Sequence, residues 1–179
     1  MSSPGRPKGE SLGARHAATP VSAPQTLTRE GIAALIPHSG TMCLLSCLLE
    51  WDLQRIVCLA TNHRDANHPL RTRTGLLSPC AIEYAAQAMA LHGALIGQDA
   101  GTAASPGYLA SARGVRLHLL RLDDLPLDAD PSQPDALRIE AIRQSGNASQ
   151  ILYAFSVSHA GRPVADGRAA VVLNTALST

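Results

Sequence analysis

Glu83 and Gln87 are the residues whose types and spacing point most directly to chemistry. They stand four apart in a stretch that is otherwise almost wholly apolar, AIEYAAQAMALHGALI. On a helix that spacing puts both side chains on one face. A carboxylate in apolar surroundings must be paired, held in a cleft, or kept neutral so that it can give up a proton. A plain alternative is a carboxylate at the helix edge, helped by the positive N-terminal end of the helix dipole. Histidine is the natural partner for acid–base work near neutral pH, with a reference pKa of about 6.5. Besides His16 near the N-terminus, three histidines lie upstream: His38 after Pro37, and His63 and His68 in a polar stretch running into the apolar segment. A loop that feeds a helix start brings its side chains near the free backbone N–H groups there. The same loop carries Arg64, Arg71 and Arg73, which are either solvated charges or contacts for a phosphate or an acidic protein.

These residues need elements to hold them. Residues 1–26 are rich in Pro, Ser and Gly without apolar period and read as a disordered tail. A short helix follows, with Thr28 as N-cap and Pro37 beyond its end. Met42 to Glu50 and Gln54 to Thr61 read as a hairpin, followed by an irregular stretch to Ser78. Ser78 as N-cap and Pro79 at N1 open a helix that runs to about Ile96, with Gly97 as its C′ residue. Apolar all round, this helix is expected to be buried, its alanines and Gly93 letting a sheet approach closely. The remainder reads as strands over about Tyr108–Leu120, Leu137–Gln144, Gln150–His159 and Arg168–Leu173, with turns at Asn147 and Gly161. One central helix against a largely antiparallel sheet is an α+β layout in a single domain over residues 27–179.

Bulk composition narrows the function. A net charge of +1 and 3% aromatic residues argue against nucleic-acid binding, which needs a basic surface and stacking rings. No apolar run is long enough to span a membrane, and the first residues lack the apolar core of a secretory signal, so a cytoplasmic location is expected. Cys43, Cys47, Cys58 and Cys80 are not in close pairs, and they read as reduced, mostly buried thiols. No cofactor and no metal is expected, because His63 and His68 fit no helical ligand pair and no Cys/His cluster has ligand spacing.

Several segments resemble a known family. IAALIPHSGTMCLL, from Ile32 to Leu45, resembles the LLPHRxPFLLVD opening of the β-hydroxyacyl-acyl-carrier-protein dehydratases. GLLSPCAIEYAAQAMALHGAL, from Gly75 to Leu95, resembles their PGVLxxEAMAQ segment. The resemblance is closer to the dehydratases predicted in aryl polyene pigment clusters. They share HRD, an NPLR-like loop, the GYLASxRxVRLHxxRLDDLP stretch matched by Gly107–Pro126, and the closing GRAAVVL at Gly167–Leu173.

The resemblance implies a hotdog fold, a curled antiparallel sheet around one long helix, working as a homodimer or as a heterodimer with a paralogue. It implies a hydro-lyase that removes water from a 3-hydroxyacyl chain on acyl carrier protein by a syn-type elimination, in polyene or fatty-acid-like synthesis. In that reaction, at a site formed between two protomers, a histidine takes the C2 proton and a carboxyl on the partner protomer's central helix protonates the departing hydroxyl, while backbone N–H groups polarise the thioester oxygen. Glu83 matches the carboxyl and Gln87 the family glutamine. His68, fifteen residues before Glu83, and His38 of the PH motif rank together as the base, with His63 third. Gly75 and Ser78 stand where substrate binds, and Arg64, Arg71 and Arg73 where the carrier would touch. Departures from the pattern are Ser46 in place of an aspartate, Leu77 in place of a proline, Pro79 two places later, and Ala81 in place of a glycine. They keep two alternatives open: a weakly active or inactive partner subunit of a dehydratase heterodimer, and an acyl thioesterase.

Overall fold

The computed structural model describes residues 26–102, 107–127, 135–147 and 149–173; the expected N-terminal tail lies outside them. Seven strands form a single antiparallel sheet in the order β1-β2-β3-β5-β6-β7-β4. They are β1 (Leu27–Thr28), β2 (Cys47–Trp51), β3 (Arg55–Ala60), β4 (Gly107–Leu117), β5 (Leu137–Gly146), β6 (Gln150–His159) and β7 (Arg162–Leu173). Helix α1 (Arg29–Ala33) is a single short piece, and α2 (Ala81–Asp99) is the central helix. A curled sheet around one long helix is the hotdog arrangement of an α+β fold, as the sequence led us to expect.

The sheet gets its inner face from alternation. In β6, Ile151, Tyr153, Phe155, Val157 and His159 are buried while Leu152 and Ser156 are exposed, the period-two pattern of a sheet with one face on the core. Helix α2 meets that face through small residues: Ala81, Ala85 and Ala88 are fully buried. Gly93 plays no part in the close approach, since a Cβ built on it meets nothing within 4 Å. Ile82, Ala86, Ala90, Gly93 and Ile96 are only partly covered, so one apolar stripe of the helix is incompletely buried within the single chain.

The turns explain most boundary differences. Gly97 does not end α2; it is buried inside it. The stop is Gly101 at φ +66, where Thr102 N–H bonds Gly97 O at 2.8 Å and Gly101 N–H bonds Gln98 O at 3.0 Å. This is a Schellman cap, which needs a left-handed residue just past the end. At the other end Ser78–Cys80 forms a 3-10 turn, so α2 starts later than the Ser-Pro signal implies and Ser78 caps nothing with its side chain. The β6–β7 hairpin turns on Ala160 (φ 46) and Gly161 (φ 72), the pair of left-handed residues that a two-residue hairpin loop requires. That tight turn lets β7 begin at Arg162, well before the expected Arg168.

Candidate active site

Residues 42–46 show how the site is built. They are apolar enough to continue the first hairpin, yet β2 begins only at Cys47. The reason is Gln87, which is fully buried. Its Oε1 accepts the Leu44 N–H at 2.8 Å, and its Nε2 donates to Met42 O at 2.8 Å. One side chain thus satisfies two backbone groups that a sheet ladder would otherwise have to pair. With Oε1 committed to an N–H, the amide orientation is fixed, and Nε2 also donates to Glu83 Oε1 at 3.0 Å.

His38 completes the group. It sits in the turn between α1 and β2, which is pinned where Arg29 Nη2 donates to Gly40 O at 3.1 Å and Met42 N–H to Ser39 O at 3.1 Å. Its Nε2 lies 3.3 Å from Glu83 Oε1, with the two side chains 29% and 32% exposed. His38 Nδ1 is closed off without a partner, so Nε2 is the nitrogen that can meet another molecule. Glu83 Oε2 has no hydrogen-bond partner among the described residues. The arrangement is a half-open imidazole–carboxyl pair, braced from behind by a buried amide, that sets a group suited to take a proton beside one suited to give it.

His68 is placed differently. It is buried, with Nδ1 accepting the Leu70 N–H at 3.1 Å and Nε2 2.9 Å from Tyr84 Oη. Since Nδ1 faces a donor, the ring proton sits on Nε2 and is given to the tyrosine oxygen. Tyr84 in turn donates to Asn62 Oδ1 at 2.7 Å. Burial lowers the His68 pKa and raises that of Tyr84, so the chain Leu70–His68–Tyr84–Asn62 is neutral and complete. Glu83 and Tyr84 are neighbours in sequence but point about 100° apart on the helix, which separates His68 from the Glu83 pair within this chain.

His63 is fully buried and bonds neither Glu83 nor His38. It lies 3.8 Å from Asp135 Oδ1 and packs edge-on against His159, ring centres 5.5 Å apart. His159 Nε2 is 2.6 Å from the same Asp135 oxygen.

Gly75 takes φ +109, and a Cβ there would come within 2.7 Å of Asp123 Oδ2, so the position is closed to any side chain. Asp123 accepts the Leu76 N–H at 3.1 Å and pairs with Arg71 at 2.8 Å. Ser78 is buried and gives its N–H to Leu120 O at 3.0 Å. Arg64 is spent internally on Asp135 Oδ2 and on the carbonyls of Asp123 and Leu125. Of the three loop arginines only Arg73 is exposed and makes no hydrogen bond or ion pair among the described residues. Asp123, Tyr84, Asn62, Asp135 and His159 were not singled out from the sequence as site residues; for Asp123 the signal was the RLDDLP segment. A hollow on the outer sheet face, lined by Ser111, Arg113, Gln150, Leu152 and Arg168, shares no residue with the His38–Glu83 group. All four cysteines are free thiols, and no helix among the described residues is long and apolar enough to cross a membrane.

Comparison with known proteins follows the same lines. The sequence model of the ApeP-like family, described as ApeP dehydratase, matches residues 30–178. None of the curated proteins matches the sequence. Among solved structures, the dehydratase heterocomplex ApeI:P from Xenorhabdus doucetiae superposes with a TM-score of 0.69 at 22% identity, covering 80% of this chain and 91% of that one. A hypothetical protein from Staphylococcus aureus, solved as a mutant, superposes at 0.51 with 8% identity over 71% of this chain and 91% of its own. At these identities the likeness to solved structures is one of fold.

Proposed function

The chain belongs to the ApeP-like dehydratase family, and from that premise we propose that it removes water from a 3-hydroxyacyl thioester carried on an acyl carrier protein. The observation that carries this reading is the His38–Glu83 pair, 3.3 Å apart and half open, braced by Gln87. With one proton held on Glu83, His38 Nε2 takes the C2 proton. The C2–H electron pair becomes the C2=C3 double bond, and the C3–O bond breaks. Glu83 gives its proton to the hydroxyl, which leaves as water. The proton gained by His38 then returns across the short gap, restoring the pair. Two groups side by side suit a syn elimination, in which proton and hydroxyl leave from one face.

A partner chain fits this reading. The apolar stripe Ile82, Ala86, Ala90 beside Glu83 is only partly covered. Strand β4 is the open edge of the sheet, eleven residues long, and such edges are normally paired or protected. Tyr108 and Leu117 on it are 38% and 41% exposed. A second hotdog chain, a copy or a paralogue like the one in the heterocomplex relative, would cover both. Arg73 is the loop arginine free to meet an acidic carrier. The product would serve polyene or fatty-acid-like chain synthesis in the cytoplasm.

The inward lock on His68 favours a second reading, in which this chain is the less active member of a heterodimer. His68 stands near the position of the family's catalytic histidine, and its ring nitrogens are both committed. Mass spectrometry of a 3-hydroxyacyl-carrier protein separates the two. Loss of one water with the purified chain alone supports the first. No loss alone, but loss with a paralogue present that Glu83→Gln in this chain leaves unchanged, supports the second.

A further inference from the structure

Three residues far apart in sequence converge at one end of the sheet. Ala60, the last residue of β3, pairs with Leu137 of β5, and Leu137 pairs with His159, the last residue of β6. His63 follows the end of β3, and Asp135 precedes the start of β5. This register stacks His63, Asp135 and His159 over three adjacent strand ends. We propose that they form a binding site for a divalent transition-metal ion of the zinc class.

Two imidazoles and one carboxylate are a donor set that such ions favour. One nitrogen from each ring and one carboxylate oxygen lie within 4.8 Å of one another. Metal–ligand bonds of about 2.0–2.2 Å set neighbouring donor atoms roughly 3.3 Å apart. The present separations from Asp135 Oδ1, 2.6 Å to His159 Nε2 and 3.8 Å to His63 Nε2, bracket that value, so small side-chain rotations bring all three into range.

The independent observation is His63 itself. It is fully buried, and neither ring nitrogen has a hydrogen-bond partner. Buried polar atoms without partners are rare and call for an occupant or a role. An ion between the three groups would take the idle Nε2 lone pair. Arg64 supplies the outer support that metal-binding carboxylates usually have. Its Nε donates to Asp135 Oδ2 at 2.7 Å, leaving Oδ1 turned toward both rings. Asp135, 30% exposed, is the side from which an ion would enter.

The test uses the full chain, free of any affinity tag and stripped with chelator, titrated with Co²⁺. The expected result is a visible ligand-field band that saturates at one ion per chain and is displaced by Zn²⁺. His63→Gln and His159→Gln should each weaken binding by about tenfold or more, taking the cost of disturbing even supporting groups as a lower bound. His118→Gln, an exposed histidine on Asp166, should leave binding unchanged. Should the two histidine variants fail to fold, Asp135→Asn keeps the side-chain shape and removes the anionic ligand. Zn²⁺ should also raise the Tm of the wild-type chain, and chelator should reverse the rise. A wild-type chain that takes up no Co²⁺ at millimolar concentration, or binding that survives all three ligand substitutions, overturns the proposal. Neither result depends on dehydratase activity.

Discussion

His38 and His68 approach adjacent residues of one helix from different loops and live under opposite conditions. His38 has a closed Nδ1, an open Nε2 and a carboxyl 3.3 Å away. His68 has a backbone donor on one nitrogen and a tyrosine on the other, and burial holds it neutral. The first arrangement leaves proton-transfer capacity unspent; the second spends all of it on internal hydrogen bonds. A histidine near a family's expected position is therefore only as reactive as its second nitrogen allows.

The comparison breaks most sharply at Glu83. On the proposed mechanism Glu83→Gln should lower turnover by roughly 10²–10⁴-fold with the Tm unchanged, measured by loss of water in the mass spectrometer and by thermal melting. Full activity in that variant would remove the carboxyl from the reaction. Gln87→Leu comes next. It leaves the Leu44 N–H without its acceptor and frees Glu83, so we expect about tenfold slower turnover and a loss of roughly 1–3 kcal/mol in denaturant unfolding. A rate loss with no stability loss would mean that Gln87 acts on substrate rather than as a brace.

His68→Phe sharpens the contrast from the other side. It should cost roughly 1–3 kcal/mol of stability by leaving the Leu70 N–H unpaired and the Tyr84 oxygen without its donor, while turnover falls by no more than about threefold, far less than a lost acid or base would cost. A loss matching that of Glu83→Gln in a folded protein would make His68 the base, reached across a dimer.

The smallest effect is in pH. His68 and His92 are both buried with lowered pKa values. His92 Nε2 gives its proton to Asp52 O at 2.7 Å, and Nδ1 faces Tyr153 Oη at 3.1 Å. Below the unfolded value of about 6.5 the unfolded chain binds protons that these folded rings refuse. Stability is thus fully present above about 6.5 and lost as pH falls toward the lower folded values. Melting curves should shift down through that window, and less so in His68→Phe. An identical shift in wild type and variant would assign the acid sensitivity to other groups.

Much of the fold was legible in the sequence because it rests on local rules. Period-two alternation marked β6 at both ends, Asn147 and Gly161 marked turns, and the apolar segment around Glu83 marked the central helix. Glu83, Gln87 and His38 were legible as candidates, since a carboxylate and an amide four apart in an apolar helix demand partners. The stop at Gly101 rather than Gly97 was less so: both are glycines near the helix end, and only packing shows which is buried and which is free to turn left-handed.

The sequence by itself marked Glu83, Gln87 and the histidines upstream as candidates and determined that one helix would be embraced by one sheet, because periodicity and residue type are local properties. Only the tertiary structure decided which histidine faces Glu83, why β2 starts only at Cys47, and that His63, Asp135 and His159 meet. Those outcomes depend on strand register and on whether each buried polar atom finds a partner, and both are fixed by contacts between segments far apart in the chain.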